Sequence, residues 1–419
     1  MAAGACISTL PDGADGRDGV RRVTEPSVVE PSSLVGVPGR TFTTILSRAQ
    51  ALHGSIRESG AQAESERHLP SALVAQLRET GVFSCAVPAE WGGADLTSAE
   101  QTRIIEALSR ADVSVGWCVM IGMDSGIYAR YLSPEAARAI FRSPDLITAG
   151  QVAPLGRGEP VDGGYLVNGD WRFASGSNHA DVMAAGFRVA ESAGGVPAEK
   201  GTWKVLLAKP EQFEFIDSWY STGLAGTGSR DYVARDLFVP AGHVISFERP
   251  VHPGILTRRS DALVRKMAGV ALGAGRAALD VAYSLAEGKG GTANASARAG
   301  TPRARRVVAE CELQLSAARA LVYGSLDEQW EHLLKGEKLG VAARARAALS
   351  RYNAFRSARQ VIEEVYDLVG GAAVYSSRTP LDRLLRDIVT ACQHVVAQHQ
   401  MIDWVGELLS GQEPDTAFI

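Results

Sequence analysis

The spacing of apolar residues changes its period twice along the chain. Over residues 41–141 they recur every three or four positions, which predicts amphipathic helices. Over residues 146 to about 247 they alternate, which predicts strands. From residue 261 onward the helical period returns in long pieces. A helical block, then strands, then long helices can each bury an apolar face in few ways. The expected class is α+β, with a short tail (1–39), an N-terminal helical domain (40–145), a small central β-barrel or sandwich (146–250) and a C-terminal four-helix bundle (251–419).

Local signals sharpen this. Thr97 and Glu100 have the spacing of a capping box, and Ser133 with Pro134 reads as an N-cap and first-turn proline. Asn168–Gly169 sits between two alternating runs, a strong hairpin signal. "VPAEKG" (196–201) reads as a surface turn. Four bundle helices are expected. The first covers 261–286, and a Gly/Ala/Ser loop follows it. Thr301–Pro302 opens the second, whose face carries Val308, Cys311, Leu315, Val322 and Trp330. The third covers 341–369 and stops at Gly370–Gly371. The fourth runs from Thr379–Pro380 to near Gly411. The first 39 residues are rich in Gly, Pro, Asp and Ser without periodicity and read as a disordered tail.

Composition narrows function mainly by exclusion. The net charge of −4, from 43 basic and 47 acidic residues, offers no field for nucleic acid. The five cysteines are scattered, with no CxxC pair, so neither a metal site nor a disulfide framework is expected and a reducing cytoplasm fits. The most apolar stretch, 262–286, is interrupted by Arg265, Lys266, Arg276 and Asp280, which argues against a membrane span. The N-terminal residues lack the basic start of a signal peptide. "GAGRAA" (273–278) follows no strand and lies inside a helical period, so it fails as a dinucleotide fingerprint and reads as close helix packing.

The stretch "GDWRFASGSNHAD" (169–181) places Trp171 and Phe173 before a small, hydroxyl-rich run. On its own it reads as a strand end with a serine turn, or as backbone left bare for a flat ligand. "GVFSCAVPAEWGG", "GLAGTGSRDYVARDLFVP" and "LVGGAAVYSSRTPLDRLLRDIVTACQH" stand before and after it in order. Together these segments resemble the acyl-CoA dehydrogenase superfamily over about residues 40–410. "W-x-F-x-S-G" and a late "RD…H" are similar to its reduced-flavin-dependent monooxygenase branch, the oxygenase halves of two-component systems.

The resemblance implies the following. Reduced FMN, or FAD, binds beside Gln151, Trp171, Phe173, Ala174 and Ser175, with the Ser175 hydroxyl at the ring's N5 edge. Gly370 and Gly371 approach the cofactor's phosphate side from a neighbouring subunit, and Arg298 or Lys289 adds positive charge. Asp387 and His394, seven residues apart, share one face of the fourth helix, and His394 reaches the flavin, where an imidazole can hold a proton or polarise a substrate. Oxygen adds to the flavin to give a C4a-hydroperoxide. A small substrate binds near Phe83, Trp91, Met120, Met123 and Asp124, Asp124 suiting a cationic or hydroxylated one such as an amino sugar. The partner is a separate NAD(P)H:flavin reductase, and the assembly is a homotetramer. Two alternatives stay open: an acyl-CoA dehydrogenase or flavin oxidase with tightly bound FAD, and a non-catalytic member. Against the dehydrogenase, "TACQHVVAQHQ" holds no acid to serve as base, and Asp261 is the nearest acid at the bundle start. Against a simple phenol, "VGWCVMIGMDSGIYARYL" holds no histidine.

Overall fold

The computed structural model describes residues 39–190, 203–287, 301–416 and 418–419. The tail reading (residues 1–38), "VPAEKG", Lys289 and Arg298 lie outside the described residues. The N-terminal block contains α1 (Phe42–Ala51), α2 (His53–Glu66), α3 (Ser71–Thr80), α4 (Ser98–Ala111), α5 (Val113–Gly122), α6 (Ser125–Ala129) and α7 (Pro134–Ile140). The two predicted caps form. Thr97 Oγ1 accepts from Glu100 N while Glu100 returns to Thr97 N, and Ser133 Oγ accepts from Ala136 N.

The central strands are β1 (Thr148–Val161), β2 (Gly164–Ala174), β3 (Val182–Val189), β4 (Trp203–Ala208), β5 (Glu214–Ile216), β6 (Arg230–Pro240) and β7 (Val244–Ile245). They form one mixed sheet in the order β5-β6-β2-β1-β3-β4-β7, the small central β domain expected between the two helical blocks. At β3 the sheet has both faces covered. On β3, Val182 and Ala184 pack on α6 and α7, whereas Met183, Ala185 and Phe187 pack with Trp171 and Tyr232 on the other face. A strand buried on both faces reads as a continuous apolar run, which explains "VMAAGF".

Asn168–Gly169 is not the hairpin turn. The turn falls at Asp162–Gly163, where Gly163 has φ +77° and Val161 pairs with Gly164. Asn168–Gly169 instead lies opposite a bulge in β6, where the register shifts because β6 carries one residue more than β2 between Val167–Leu237 and Gly169–Ala234. Asn168 exchanges hydrogen bonds with Asp236, which itself has φ +47°. A side chain at Gly169 would strike the Trp171 ring at 2.7 Å. The glycine is required by that ring and not by a turn.

β1 pairs antiparallel with β2 on one side and parallel with β3 on the other. The chain must therefore cross the start of β1 to pass from β2 to β3. Residues 175–181 make that crossing, and Asp181 N and Val182 N both donate to Ile147 O. The small, polar stretch singled out in the sequence is this crossover.

The C-terminal helices are α8 (Ala268–Ala286), α9 (Pro302–Lys335), α10 (Val341–Val369), α11 (Leu381–Ala391) and α12 (Gln400–Leu409). α8 begins later than expected, because residues 255–267 form short 3-10 turns. The fourth predicted helix is broken into α11 and α12, with residues 392–399 between them. One apolar core runs through α4, α5, α8, α10 and α11, so the N-terminal block and the bundle pack as one body. Gly269 and Gly273 of α8 make the contact with α4 possible. An added side chain at Gly273 would meet Glu106 O at 2.3 Å.

Candidate functional site

The crossover loop leaves β2 through a second bulge. Trp171 pairs with Tyr232 and Ala174 with Arg230, so the strand gains a residue between them. Phe173 takes φ +60°, a strained geometry for an aromatic residue. The result turns Phe173 outward, 61% exposed, while Trp171 and Ala174 are fully buried. Among the described residues Phe173 meets one other ring, Trp219, edge-on at 6.2 Å. Trp171 is buried in the sheet. It stacks on Tyr232 at 5.4 Å and donates from Nε1 to Gly186 O at 2.8 Å inside the sheet core. Gln151 ties the strands together: its side-chain oxygen accepts from Arg172 N at 3.2 Å, and its own N donates to the Tyr232 hydroxyl at 2.8 Å.

Ser175 lies at the head of the crossover, 6% exposed. Its Oγ accepts from Trp117 Nε1 of α5 at 3.1 Å and meets Ser229 Oγ at 2.7 Å. Ser229 meets Thr227 Oγ1 at 2.6 Å, and Thr227 Oγ1 donates to Leu224 O at 2.7 Å. Gly176, at φ +78°, donates its N–H to Thr227 O. A second Gly-rich loop, residues 222–229, thus lies alongside the crossover. It is fastened to α11, because Leu224 N donates to Asp387 Oδ1 at 2.6 Å.

His394 stands in the break between α11 and α12, not on a helix face with Asp387. Its Nδ1 accepts from Val396 N at 3.4 Å, so the lone pair is on Nδ1 and the neutral ring carries its proton on Nε2. Its ring meets the Trp117 indole edge-on at 5.8 Å. Trp117 therefore joins Ser175 to His394, with its N–H on one and its ring against the other. Burial lowers the His394 pKa to about 4. Asp387 is buried against Leu224, and burial, with Asp112 nearby, pushes its pKa up to about 7.

Of the predicted substrate residues, Phe83 packs at Gly122, beside Met120, Met123 and Asp124. Phe83, Met120 and Met123 are buried in the main core. Trp91 belongs to the cluster under the sheet and packs on His252. Asp124 is buried and ion-paired with Lys266 of the short turns before α8, so it is not held ready for a cationic substrate. Gly370 and Gly371 cap α10, and Gly370 has φ +66°. An added side chain at Gly371 would meet nothing within 4 Å, so its backbone is open. A cavity of about 690 Å³ touches the crossover through Asn178 and His179 and is otherwise walled by α2 and α3. Both ring nitrogens of His179 are buried without a hydrogen-bond partner among the described residues.

Trp117, Thr227, Ser229 and Leu224 were missed as site residues by sequence reasoning. Their one signal was the paired hydroxyls in "GTGS", two positions apart in a Gly-rich run.

The arrangement fits a flat ring with a polar edge: an outward phenyl, a buried hydroxyl with capacity to spare, an indole and a neutral imidazole. Comparison with known proteins agrees. Residues 49–140 match the acyl-CoA dehydrogenase N-terminal domain and residues 266–399 the acyl-CoA dehydrogenase C-terminal domain. The chain is 32% identical over 374 residues to indole-3-acetate monooxygenase of Pseudomonas putida, covering 87% of this chain and 94% of that one. It is 29% identical over 360 residues to the flavin-dependent monooxygenase oxygenase subunit HsaA of Rhodococcus jostii, covering 82% and 91%. The solved HsaA monooxygenase from M. tuberculosis superposes with a TM-score of 0.82 at 24% identity, over 91% of this chain and 100% of that one. XiaF from Streptomyces sp., solved with FADH2 and glycerol, gives 0.82 at 23%, over 90% and 97%.

Proposed function

This chain belongs to the acyl-CoA dehydrogenase family, and from that premise we propose that it is the oxygenase component of a two-component, flavin-dependent monooxygenase. The observation that carries the reading is the joining of Ser175, Trp117 and His394 beside the outward Phe173. Reduced FMN or FAD, when bound, supplies two electrons and the atom at which dioxygen is activated. One oxygen atom enters the substrate and the other leaves as water.

The chain's own residues do four things in this reading. Phe173 gives the ring an apolar wall. Ser175 Oγ holds its N5 edge. Trp117 fixes the position of Ser175 and closes the space between it and His394, which keeps water out. His394 stays neutral at working pH, because burial holds its pKa near 4, and offers the Nε2–H to an oxygen bearing developing charge. Gly370–Gly371, with its open backbone, is proposed to meet the phosphate side of the cofactor in a neighbouring subunit. The reductant is a separate NAD(P)H:flavin reductase. "GAGRAA" lies within α8, where Gly273 faces α4 and Gly275 faces Leu315 and Ala358, so it serves packing. A cytoplasmic setting and a homotetramer complete the proposal.

The substrate we propose is a small aromatic compound that is hydroxylated. Support comes from the 32%-identical relative named for indole-3-acetate. N-oxidation of an amino sugar is less favoured, since Asp124, the expected partner for an ammonium group, is already paired with Lys266. A dehydrogenase needs a free carboxylate base. Asp261, the acid at the bundle start, is buried between Arg265 at 2.6 Å and Gln329 at 2.7 Å, and it is held well below the usual carboxylate range.

The test is purification and coupling. The protein is expected to be colourless and to consume oxygen only with a flavin reductase. Ser175→Ala and His394→Ala should fold normally but divert oxygen to hydrogen peroxide, lowering product per oxygen by on the order of tenfold. Unchanged coupling in both variants removes the site assignment.

A further inference from the structure

We propose that Thr227 and Ser229 fix the direction of the Ser175 hydroxyl, and so make this site select a ring that donates at N5, the reduced flavin. The inference rests on the reading above that Ser175 meets the ring's N5 edge.

A hydroxyl has one proton to give and two lone pairs to receive. Thr227 Oγ1 lies 2.7 Å from Leu224 O. A carbonyl cannot donate, so the Thr227 proton points there. The 2.6 Å contact between Thr227 and Ser229 is then donated by Ser229. With that proton committed, the 2.7 Å contact between Ser229 and Ser175 is donated by Ser175. Trp117 Nε1 donates to Ser175 from the other side. Ser175 has thus used its proton and one lone pair, and the remaining lone pair can only accept. Water is not free to reverse the order, since Trp117, Ser175, Thr227 and Ser229 are all 6% exposed or less.

The end of the chain is held firmly. Leu224 sits at φ +53°, its N–H donates to Asp387, and its carbonyl also accepts from Trp219 Nε1 at 3.1 Å. Turning the relay round would set the Thr227 oxygen against that carbonyl with no proton between them. Reduced flavin carries N5–H and can donate to Ser175. Oxidised flavin presents a bare lone pair at N5 and would face another. The specificity is therefore set by two residues linked to Ser175 only through hydroxyl contacts.

The experiment is an anaerobic titration of FMN and FAD, each reduced and oxidised, followed by ring absorbance and fluorescence. It compares wild type, Thr227→Val, Thr227→Ser and Ser229→Ala, with melting curves to verify folding. Wild type should hold the reduced form about 10- to 100-fold more tightly, the size of one buried hydrogen bond against one repulsive contact. Thr227→Val and Ser229→Ala should bring the ratio to within about threefold of one, chiefly by strengthening oxidised binding, because Ser175 becomes free to donate. Thr227→Ser should restore the wild-type ratio. A wild-type ratio near one, or a ratio unchanged in Thr227→Val and Ser229→Ala, overturns the relay while leaving flavin binding in place. A wild-type protein that binds neither form overturns the functional reading, and this inference with it.

Discussion

Leu224 holds a left-handed backbone, φ +53°, without glycine's freedom, and Asp387 is the group that secures it. A non-glycine residue in this region costs on the order of 1 kcal/mol, so the hydrogen bond from Leu224 N has work to offset. Asp387 is itself in a poor place for a charge. Its second oxygen is buried without a partner among the described residues, and Asp112 lies close enough to oppose ionisation. Burial first, and Asp112 second, push its pKa from 3.8 up to about 7. In that window the folded protein keeps a proton that the unfolded chain releases. The contribution to stability is thus full below the unfolded value and is lost as pH rises through 7. His394 and His179 act the other way. Burial lowers both to about 4, so their contribution is present above pH 6.5 and falls away as pH drops toward 4. Asp387→Asn keeps an acceptor for Leu224 N and cannot ionise. Relative to wild type, its melting temperature should gain steadily from about pH 4 to pH 7 and level off above. Parallel melting curves for the two proteins across that range would show that Asp387 does not titrate there.

α8 meets α4 through Gly269 and Gly273, one turn apart, and this contact ties the bundle to the N-terminal block. Gly273→Ala places a methyl 2.3 Å from Glu106 O, which forces the helices apart and should cost about 1–3 kcal/mol in chemical denaturation. Gly324 of α9 is the contrast, since an added side chain meets nothing within 4 Å. Gly324→Ala should gain up to about 1 kcal/mol from helix propensity alone. Equal effects at the two sites would mean that helix propensity, not close packing, governs both. Elements also show where the sequence was legible. The caps at Thr97 and Ser133 and the stop at Gly370 are local chemistry, and they stand where spacing places them. The break after Ala391 was not legible, because neither Gly nor Pro marks it. Side chains take over the lost helical bonds there: His394 Nδ1 receives Val396 N, and Gln398 Nε2 donates to Gln393 O at 2.6 Å. Asn168–Gly169 misled for the opposite reason. Its turn chemistry is real, but β6 offered Asp236 as a partner and Trp171 needed the space, so a bulge formed instead.

At the scale of the whole molecule, the candidate site is made where four distant parts of the chain meet. Ser175 and Trp117 are 58 positions apart, and Leu224 and Asp387 are 163 apart. Periodicity can place each on its element, but which side chains face one another depends on the crossover of β1 and on the break in the last helix. Ser175 and His394 were singled out through resemblance to a family; Trp117, Thr227 and Ser229, which touch or lead to them, were not. The same molecular view bears on assembly. α9 spans 34 residues, on the order of 50 Å, and its outward side carries Leu313 at 73% exposure, Leu334 at 54% and Leu321 at 37%. Single exposed leucines are ordinary, but Leu313 and Leu334 stand about 60° apart around the helix and offer one side of it to another copy of the chain. The tetramer proposed above is expected to use it. Changing Leu313→Arg together with Leu334→Glu should lower the mass measured by light scattering to that of a smaller species. Circular dichroism should stay unchanged, since neither side chain belongs to the protomer's core. If Gly370–Gly371 meets cofactor held by a neighbouring copy, the same double variant should also weaken reduced-flavin binding, although both leucines lie on α9 and the glycines close α10. A smaller species that binds flavin as tightly as wild type would separate assembly from the site. A species of unchanged mass would show that α9 is not the joining face.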